Sequence, residues 1–344
     1  MRAISYPFAT PPAEGESIEI VPGLHWLRLP LPFPPDYINC YLLEDDDGCY
    51  IVDTGLQGEA VRQTWERYLQ AGVLRGKKIK GILVTHFHPD HVGQAGWLVK
   101  RCAATLFMTE AEYRSDQALL SELPGHISDE MWDFYDILGV AEDVLGDGKP
   151  FDFAKKVGPL PETYQVIREG DQFSIGGRIW QVLIGQGHSP EHACLYCKDQ
   201  NLLIAGDQVI ATITSNVSVW VELPEKNPMS LWLKSIESLR SVSDETLVLP
   251  AHRLPFYGLH QRLSQLMTHH ENHFLALEKA CKSPQRIIDI LPVLFKLKLE
   301  KSVLHLAVGE CLAHLNFLIG SGRMICIQDQ QGVNQYQTKD PCLQ

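Results

Sequence analysis

The chain has 344 residues, 45% hydrophobic and 21% charged, with a formal net charge of −12. That length buries a large core, and one large domain plus a small one is the natural division. The acidic surplus speaks against nucleic acid as a partner, because affinity for phosphates rests on Lys and Arg. Met1 to Ile20 carry one Arg, Pro7, Pro11 and Pro12, and no apolar core, unlike a secretory leader. No stretch approaches about 20 apolar residues, so no membrane contact is expected and the expected compartment is the cytoplasm. The 9 cysteines lack a framework spacing and read as reduced thiols. Cys194 and Cys197 lie on a strand-like segment, where residues i and i+3 face opposite sides, so this pair reads as structural.

Alternation of apolar residues between turn signals predicts strands at Ile18–Val21, His25–Leu29, Asn39–Leu43 and Tyr50–Val52. Glu59–Gln70 has helical spacing at Val61, Trp65, Tyr68 and Leu69. Lys80–Thr85 is a buried strand, and a helix is expected over Val92–Cys102. Ala111–Pro161, rich in charge and aromatics and broken at Pro124-Gly125 and Gly146–Pro150, reads as a helical insertion that walls or covers a site. Strands resume at Gln165-Val166, Gln172–Ile175, Ile179–Ile184, Ala193–Cys197 and Leu202–Ala205. Leu231–Leu239 is a helix, Thr246–Leu249 a strand and Leu259–Lys282 a long helix. Beyond Ser283-Pro284 the pattern of Gln285–Phe295, Glu300-Lys301, Val303–Ile319 and Met324–Gln337 reads as three helices and a hairpin.

The chemistry concentrates in Thr85-His86-Phe87-His88-Pro89-Asp90-His91, directly behind Gly81-Ile82-Leu83-Val84. Imidazole is the commonest biological metal ligand, and carboxylate often joins it. On an extended segment His86 and His88 share a face. Pro89 stops the strand, and Asp90 and His91 follow on a turn that aims elsewhere, so one strand end can feed two neighbouring metal positions. Further candidates, His188, Asp207 and His252, each follow an apolar strand beside Gly or Pro, which let the backbone turn tightly. His192, near His188, reads as an exposed polar residue. His126 and His260 belong to no motif, and His269, His270 and His273 read as the solvated side of the long helix.

The ordered set Asp53-Thr54-Gly55, His86-x-His88-x-Asp90-His91, His188, Asp207 and His252 resembles the metallo-β-lactamase-fold hydrolase superfamily over about Ile18 to Arg262. The resemblance implies an α/β fold, a four-layer αββα sandwich of two mixed β-sheets with the site along one edge. It implies a catalytic domain over residues 1–265, with its insertion at about 111–161. Residues 266–344 would form a linker helix and a small winged-helix-like domain, as in the lactamase-like branch of the family. Carried over residue by residue, His86, His88 and His188 would hold a first metal, Asp90, His91 and His252 a second, and Asp207 would bridge them. Asp53 would orient the histidine loop from behind. The implied cofactors are two divalent ions: zinc foremost, with Fe or Mn as options at the more oxygen-rich second position.

Two such ions would lower the pKa of a bridging water from 15.7 towards ~7, and the resulting hydroxide would attack a carbonyl. Asp90 and Asp207 are the expected catalytic residues, holding or shuttling the proton. The expected substrate is a small acyl compound, a thioester or ester as in glyoxalase-II-like members. A single-strand endoribonuclease or a lactonase is the alternative. Gln208–Ile213 has no Tyr after Asp207, against the homoserine-lactone hydrolases, and Val303–Glu310 has no Lys or Arg, against RNA. The C-terminal module is expected to pack on the catalytic domain, wall the cleft or form a homodimer contact.

Overall fold

The structure, a computed structural model, describes residues 1–121, 128–141, 153–221, 223, 225–295 and 301–339. Pro124-Gly125, His126, the Gly146–Pro150 break and Glu300 lie outside the described residues. The chain divides into two compact units: residues 1–122, 153–215 and 238–263, and the remainder.

The first unit opens with an antiparallel run: β1 (Ser17–Val21), β2 (Leu24–Pro30), β3 (Tyr37–Asp45) and β4 (Gly48–Val52). Helix α1 (Glu59–Gln70) then crosses to β5 (Ile79–Leu83), which pairs parallel to β4. Helices α2 (Pro89–Val92) and α3 (Ala95–Cys102) lead to β6 (Thr105–Met108), again parallel, and β7 (Gln165–Val166) completes a seven-stranded mixed sheet in sequence order. Helix α4 (Glu110–Leu120) follows β6. The second sheet runs β12-β11-β10-β9-β8, with β8 (Gln172–Ile175), β9 (Arg178–Gly185), β10 (His192–Cys197), β11 (Leu202–Gly206) and β12 (Leu247–Pro250). Only the β11–β12 pair in this sheet is parallel.

The two sheets share one core. Trp26, Tyr41 and Leu83 from the first sheet cluster with Trp180, Leu195, Ile204 and Leu249 from the second. Burying each side chain of this size stabilises the unit by roughly 1.5–3 kcal/mol. The two-sheet α/β sandwich expected from the sequence is present. Both sulfurs of the Cys194-x-x-Cys197 pair are buried free thiols on β10, consistent with a structural role.

Three local expectations need correction. β5 ends at Leu83, so His86 and His88 stand on a loop rather than on a strand face. Pro89 opens a helix: its fixed φ and missing N–H suit the first turn, and His88 is the residue that caps it. The helix expected over Val92–Cys102 is therefore two, α2 and α3, with Gly93 and Gln94 between them. β6 was not foreseen, since its four residues are too short to show a period.

The second unit holds α5 (Asp129–Ile137), nearly all of α6 (Pro228–Ser238) and, from residue 264 on, α7 (Leu259–Ala280). The stretch 111–161, read above as one insertion, is thus shared: α4 belongs to the first unit and α5 to the second. Helices α8 (Ile287–Leu294) and α9 (Lys301–Gly320) precede the antiparallel hairpin β13 (Met324–Gln328) and β14 (Asn334–Thr338). Lys301 opens α9 rather than standing apart from it, and among the described residues two helices lead to the hairpin. Arg323 ties that hairpin to α7 through Glu278 at 2.7 and 2.9 Å and Glu271 at 3.2 Å.

Contrary to expectation, Val303–Gly320 of α9 is long and apolar enough to cross a bilayer; more than half of it is buried within the protein, as in a core helix. His270 is also not solvated: it accepts from Trp232 Nε1 at 3.0 Å and lies 3.1 Å from His314 Nε2.

Gly93, just behind His91, shows how tightly the first unit is built. A Cβ there would sit 2.4 Å from Gln57 N and Pro89 O and 2.7 Å from Gly55 O, all backbone atoms that cannot swing aside. Gly93→Ala is expected to cost about 1–3 kcal/mol, read as a lower urea midpoint for the purified variant. An unchanged midpoint would contradict this packing.

Candidate metal centre

Each candidate ligand leaves a strand end at the same edge of the sandwich. The loop after β5 supplies His86, His88, Asp90 and His91. The turns after β9, β11 and β12 supply His188, Asp207 and His252. Main-chain bonds stitch these turns together: Ala193 N to Thr85 O at 2.8 Å, and Ala251 N to Gly206 O at 2.9 Å. Asn39 on β3 donates to Pro250 O and Arg253 O at 2.8 and 2.7 Å, fixing the His252 turn from the opposite sheet.

Two groups of donors result. His86 Nε2 lies 2.9 Å from His88 Nδ1 and 3.1 Å from His188 Nε2. Beside them, His252 Nε2 is 3.2 Å and His91 Nε2 3.8 Å from Asp90 Oδ2. Asp207 stands between: its Oδ2 is 3.5 Å from both His188 Nε2 and His91 Nε2, and its Oδ1 is 3.5 Å from His252 Nε2. Within each of the sets His86/His88/His188, His86/His91/Asp207 and Asp90/His91/His252, the ligand atoms lie within 4.8 Å of one another.

The outer nitrogens of His86, His91 and His252 are already committed, which aims the inner ones. Asp53, in the left-handed region at φ 62°, takes His91 Nδ1 at 2.8 Å and Thr85 N at 2.8 Å. Thr85 Oγ1 reaches Asp53 Oδ2 at 2.9 Å and His86 Nδ1 at 3.0 Å. His252 Nδ1 faces Tyr37 O at 3.2 Å. Outer partners of this kind fix the tautomer and leave a lone pair on the other nitrogen.

Charge runs the same way. Burial, then the neighbouring imidazoles, holds His86 well below the usual histidine range. Burial would also lower His91, but the carboxylates of Asp53, Asp207 and Asp90 outweigh it and raise it well above that range. Burial raises Asp90, yet His91 and His252 bring it down to about 2. The buried atoms His91 Nε2 and Asp207 Oδ1 have no hydrogen-bond partner. Such atoms are costly unless something satisfies them. Imidazoles at His86 and His88 held neutral by burial, ionised carboxylates beside His91 and His252, and orphaned inner atoms together fit divalent cations.

Three contributors were not anticipated. His192 is fully buried, stacks on His86 at 4.7 Å and accepts Asp207 N–H at Nε2, 3.0 Å away. It is not the exposed residue expected: the strand start faces into the site, and a Cβ on Gly206 (φ 49°) would come within 2.5 Å of its ring. Thr85 is the relay from Asp53 to His86. Glu112 on α4 is fully buried and accepts Phe87 N at 3.0 Å, Ser189 Oγ at 2.6 Å and Glu191 N at 2.6 Å. Burial drives Glu112 up to about 7 despite those three bonds. No motif marks it; the available signal is that α4 buries Glu112, Ser115 and Asp116 on one face, where a helix usually buries apolar residues.

Comparison with known proteins agrees with this geometry. Residues 33–252 match the family described as the metallo-beta-lactamase superfamily, and residues 274–339 match the metallo-beta-lactamase-like C-terminal domain. The crystal structure of a beta-lactamase domain protein from Burkholderia ambifaria is similar at 36% identity and TM-score 0.89, over 98% of this chain and 97% of that one. "Probable metallo-hydrolase YqjP" of Bacillus subtilis is 23% identical over 85% of this chain and 91% of its own length. A hydroxyacylglutathione hydrolase of Hydrogenovibrio crunogenus is 24% identical over 62% of this chain and 57% of its own. A site of histidines and aspartates at one edge of a two-sheet sandwich, with both family matches along the chain, makes it a member of the metallo-beta-lactamase superfamily: a metallo-hydrolase carrying the metallo-beta-lactamase-like C-terminal domain.

Proposed function

We propose that the protein is a dinuclear metal-dependent hydrolase of small thioesters or esters. The observation that carries this is Asp207, equidistant at 3.5 Å from an imidazole of each donor group, where a carboxylate shared by two cations would stand. His86, His88 and His188 would hold one ion; Asp90, His91 and His252 the other. Three imidazoles and a carboxylate suit zinc at the first position, and the more oxygen-rich second would also accept Fe or Mn. Ions held there would polarise a carbonyl oxygen and lower the pKa of a water towards ~7.

The chain's own groups do the rest. Asp90 and Asp207, ionised and buried beside the donors, would accept a proton at a carboxylate oxygen and return it to the leaving group. The thioester class is favoured by the similarity to hydroxyacylglutathione hydrolases. The eight described cysteines, all free thiols, suit a reducing compartment such as the cytoplasm. Residues 1–265 would carry the chemistry. Residues 266–344 would form a separate module, winged-helix-like in their helix-and-hairpin order.

Turnover of an acyl-glutathione and acyl-CoA panel is expected to release free thiol, to vanish after treatment with a strong chelator and to return with added zinc. No turnover by a fully metallated sample across that panel would sink the thioester reading. Cleavage of unstructured RNA or of a lactone, lost with His88→Ala, would replace it with one of those activities. Asp53→Ala is expected to weaken metal retention by roughly 10- to 100-fold in a chelator competition, since it removes the acceptor behind His91. Wild-type retention would contradict its orienting role.

A further inference from the structure

The two donor groups are braced by different buried carboxylates. Asp53 braces His91 directly and His86 only through Thr85. Glu112 takes both loops that deliver the three-imidazole group. Its Oε2 accepts the N–H of Phe87, the residue between His86 and His88. Its Oε1 accepts Ser189 Oγ and Glu191 N, either side of the bend that follows His188. The helix that carries it is anchored at the same place, since Thr109, which caps α4, donates from Oγ1 to Glu191 O at 3.1 Å. Nothing else among the described contacts joins the His86–His88 loop to the Ser189–Glu191 bend through a charged side chain.

We infer that Glu112 is a positioning residue dedicated to the His86/His88/His188 metal position, holding its two loops at bonding distance. The inference rests on the metal reading proposed above. The physical reason is geometric. The loops come from different sheets, β5 in one and β9 in the other, and the main-chain bond from Ala193 N to Thr85 O ties their ends without reaching Phe87, Ser189 or Glu191. A carboxylate with two acceptor oxygens can span them, taking donors from both sides at once. A glutamine of the same size must turn its –NH2 group towards Phe87 N–H or towards the Ser189 and Glu191 donors, setting donor against donor.

The test is metal retention by the full chain, measured by competition with a chromophoric chelator, together with the visible spectrum of the Co(II)-substituted protein. Wild type is expected to hold two ions. Glu112→Gln should hold one as tightly as wild type and the other roughly 10- to 100-fold more weakly, with loss of the Co(II) bands of the three-imidazole site. Ser189→Ala, which removes one of the three bonds, should shift the same ion by less. Asp53→Ala should shift chiefly the other ion. Two ions held with wild-type affinity in Glu112→Gln, or both ions weakened equally while Asp53→Ala does the same, would overturn the inference alone. A wild type that holds fewer than two ions would overturn the metal reading and this inference with it. Should Glu112→Gln fail to fold by circular dichroism, Ser189→Ala carries the same comparison.

Discussion

The structure of the first unit turns on one demand: a set of ionisable groups that favour a cation must be buried at the edge of an apolar sandwich. His86, His91 and His192 are completely excluded from solvent, and Asp53 and Asp207 nearly so. Bare charges there would cost several kcal/mol each. The protein answers by pairing the outer nitrogens of His86, His91 and His252 with fixed acceptors and leaving their inner ones facing the other donors. Asp53 does this for His91, Thr85 for His86 and the Tyr37 carbonyl for His252. The inner face is thereby left electron-rich and geometrically fixed before any ligand arrives, which is what preorganised catalysis requires.

The sandwich makes that possible because side chains at strand ends inherit the rigidity of the ladder behind them. The β9–β10 and β10–β11 pairs hold the His188 and Asp207 turns in register, and the parallel β11–β12 pair holds His252 beside them. Where the ladder stops, buried side chains take over: Asn39 reaches across to Pro250 and Arg253, and Glu112 to Phe87 and Ser189. Close approach of neighbouring backbone at Gly93 and of the His192 ring at Gly206 fixes the remaining freedom.

Much of this was legible in the sequence, for reasons that differ by residue. The strands were readable because β-branched and aromatic runs alternate between Gly, Pro and Asp breaks. His86 through His91 stood out because several ligand types crowd a few positions, and the turns at His188, Asp207 and His252 followed from apolar runs ending in Gly or Pro. Pro89 was misjudged because a proline that cannot continue a strand is equally the best first residue of a helix. His192 looked exposed because a histidine at a strand start gives no hint of which sheet face meets the site. Glu112 was invisible: its role exists only once Phe87 and Ser189, remote in sequence, are brought to either side of it. α9 was missed as an apolar span because His305, Glu310, His314 and Asn316 interrupt the run, though too sparsely to lower its overall hydropathy.

The order in which the ligand positions occur has a consequence for how the chain folds. The first, His86, and the last, His252, are separated by most of the first unit, and they join loops from opposite sheets. No partial product of synthesis or unfolding that lacks β12 can assemble the full donor set. A cation held across it would close a long loop and act as a non-covalent cross-link between the two sheets. Such a link would favour the finished sandwich, so occupancy would add to the stability of the fold. Because contacts this distant in sequence form slowly, the metal-binding edge would be among the last parts of the unit to consolidate.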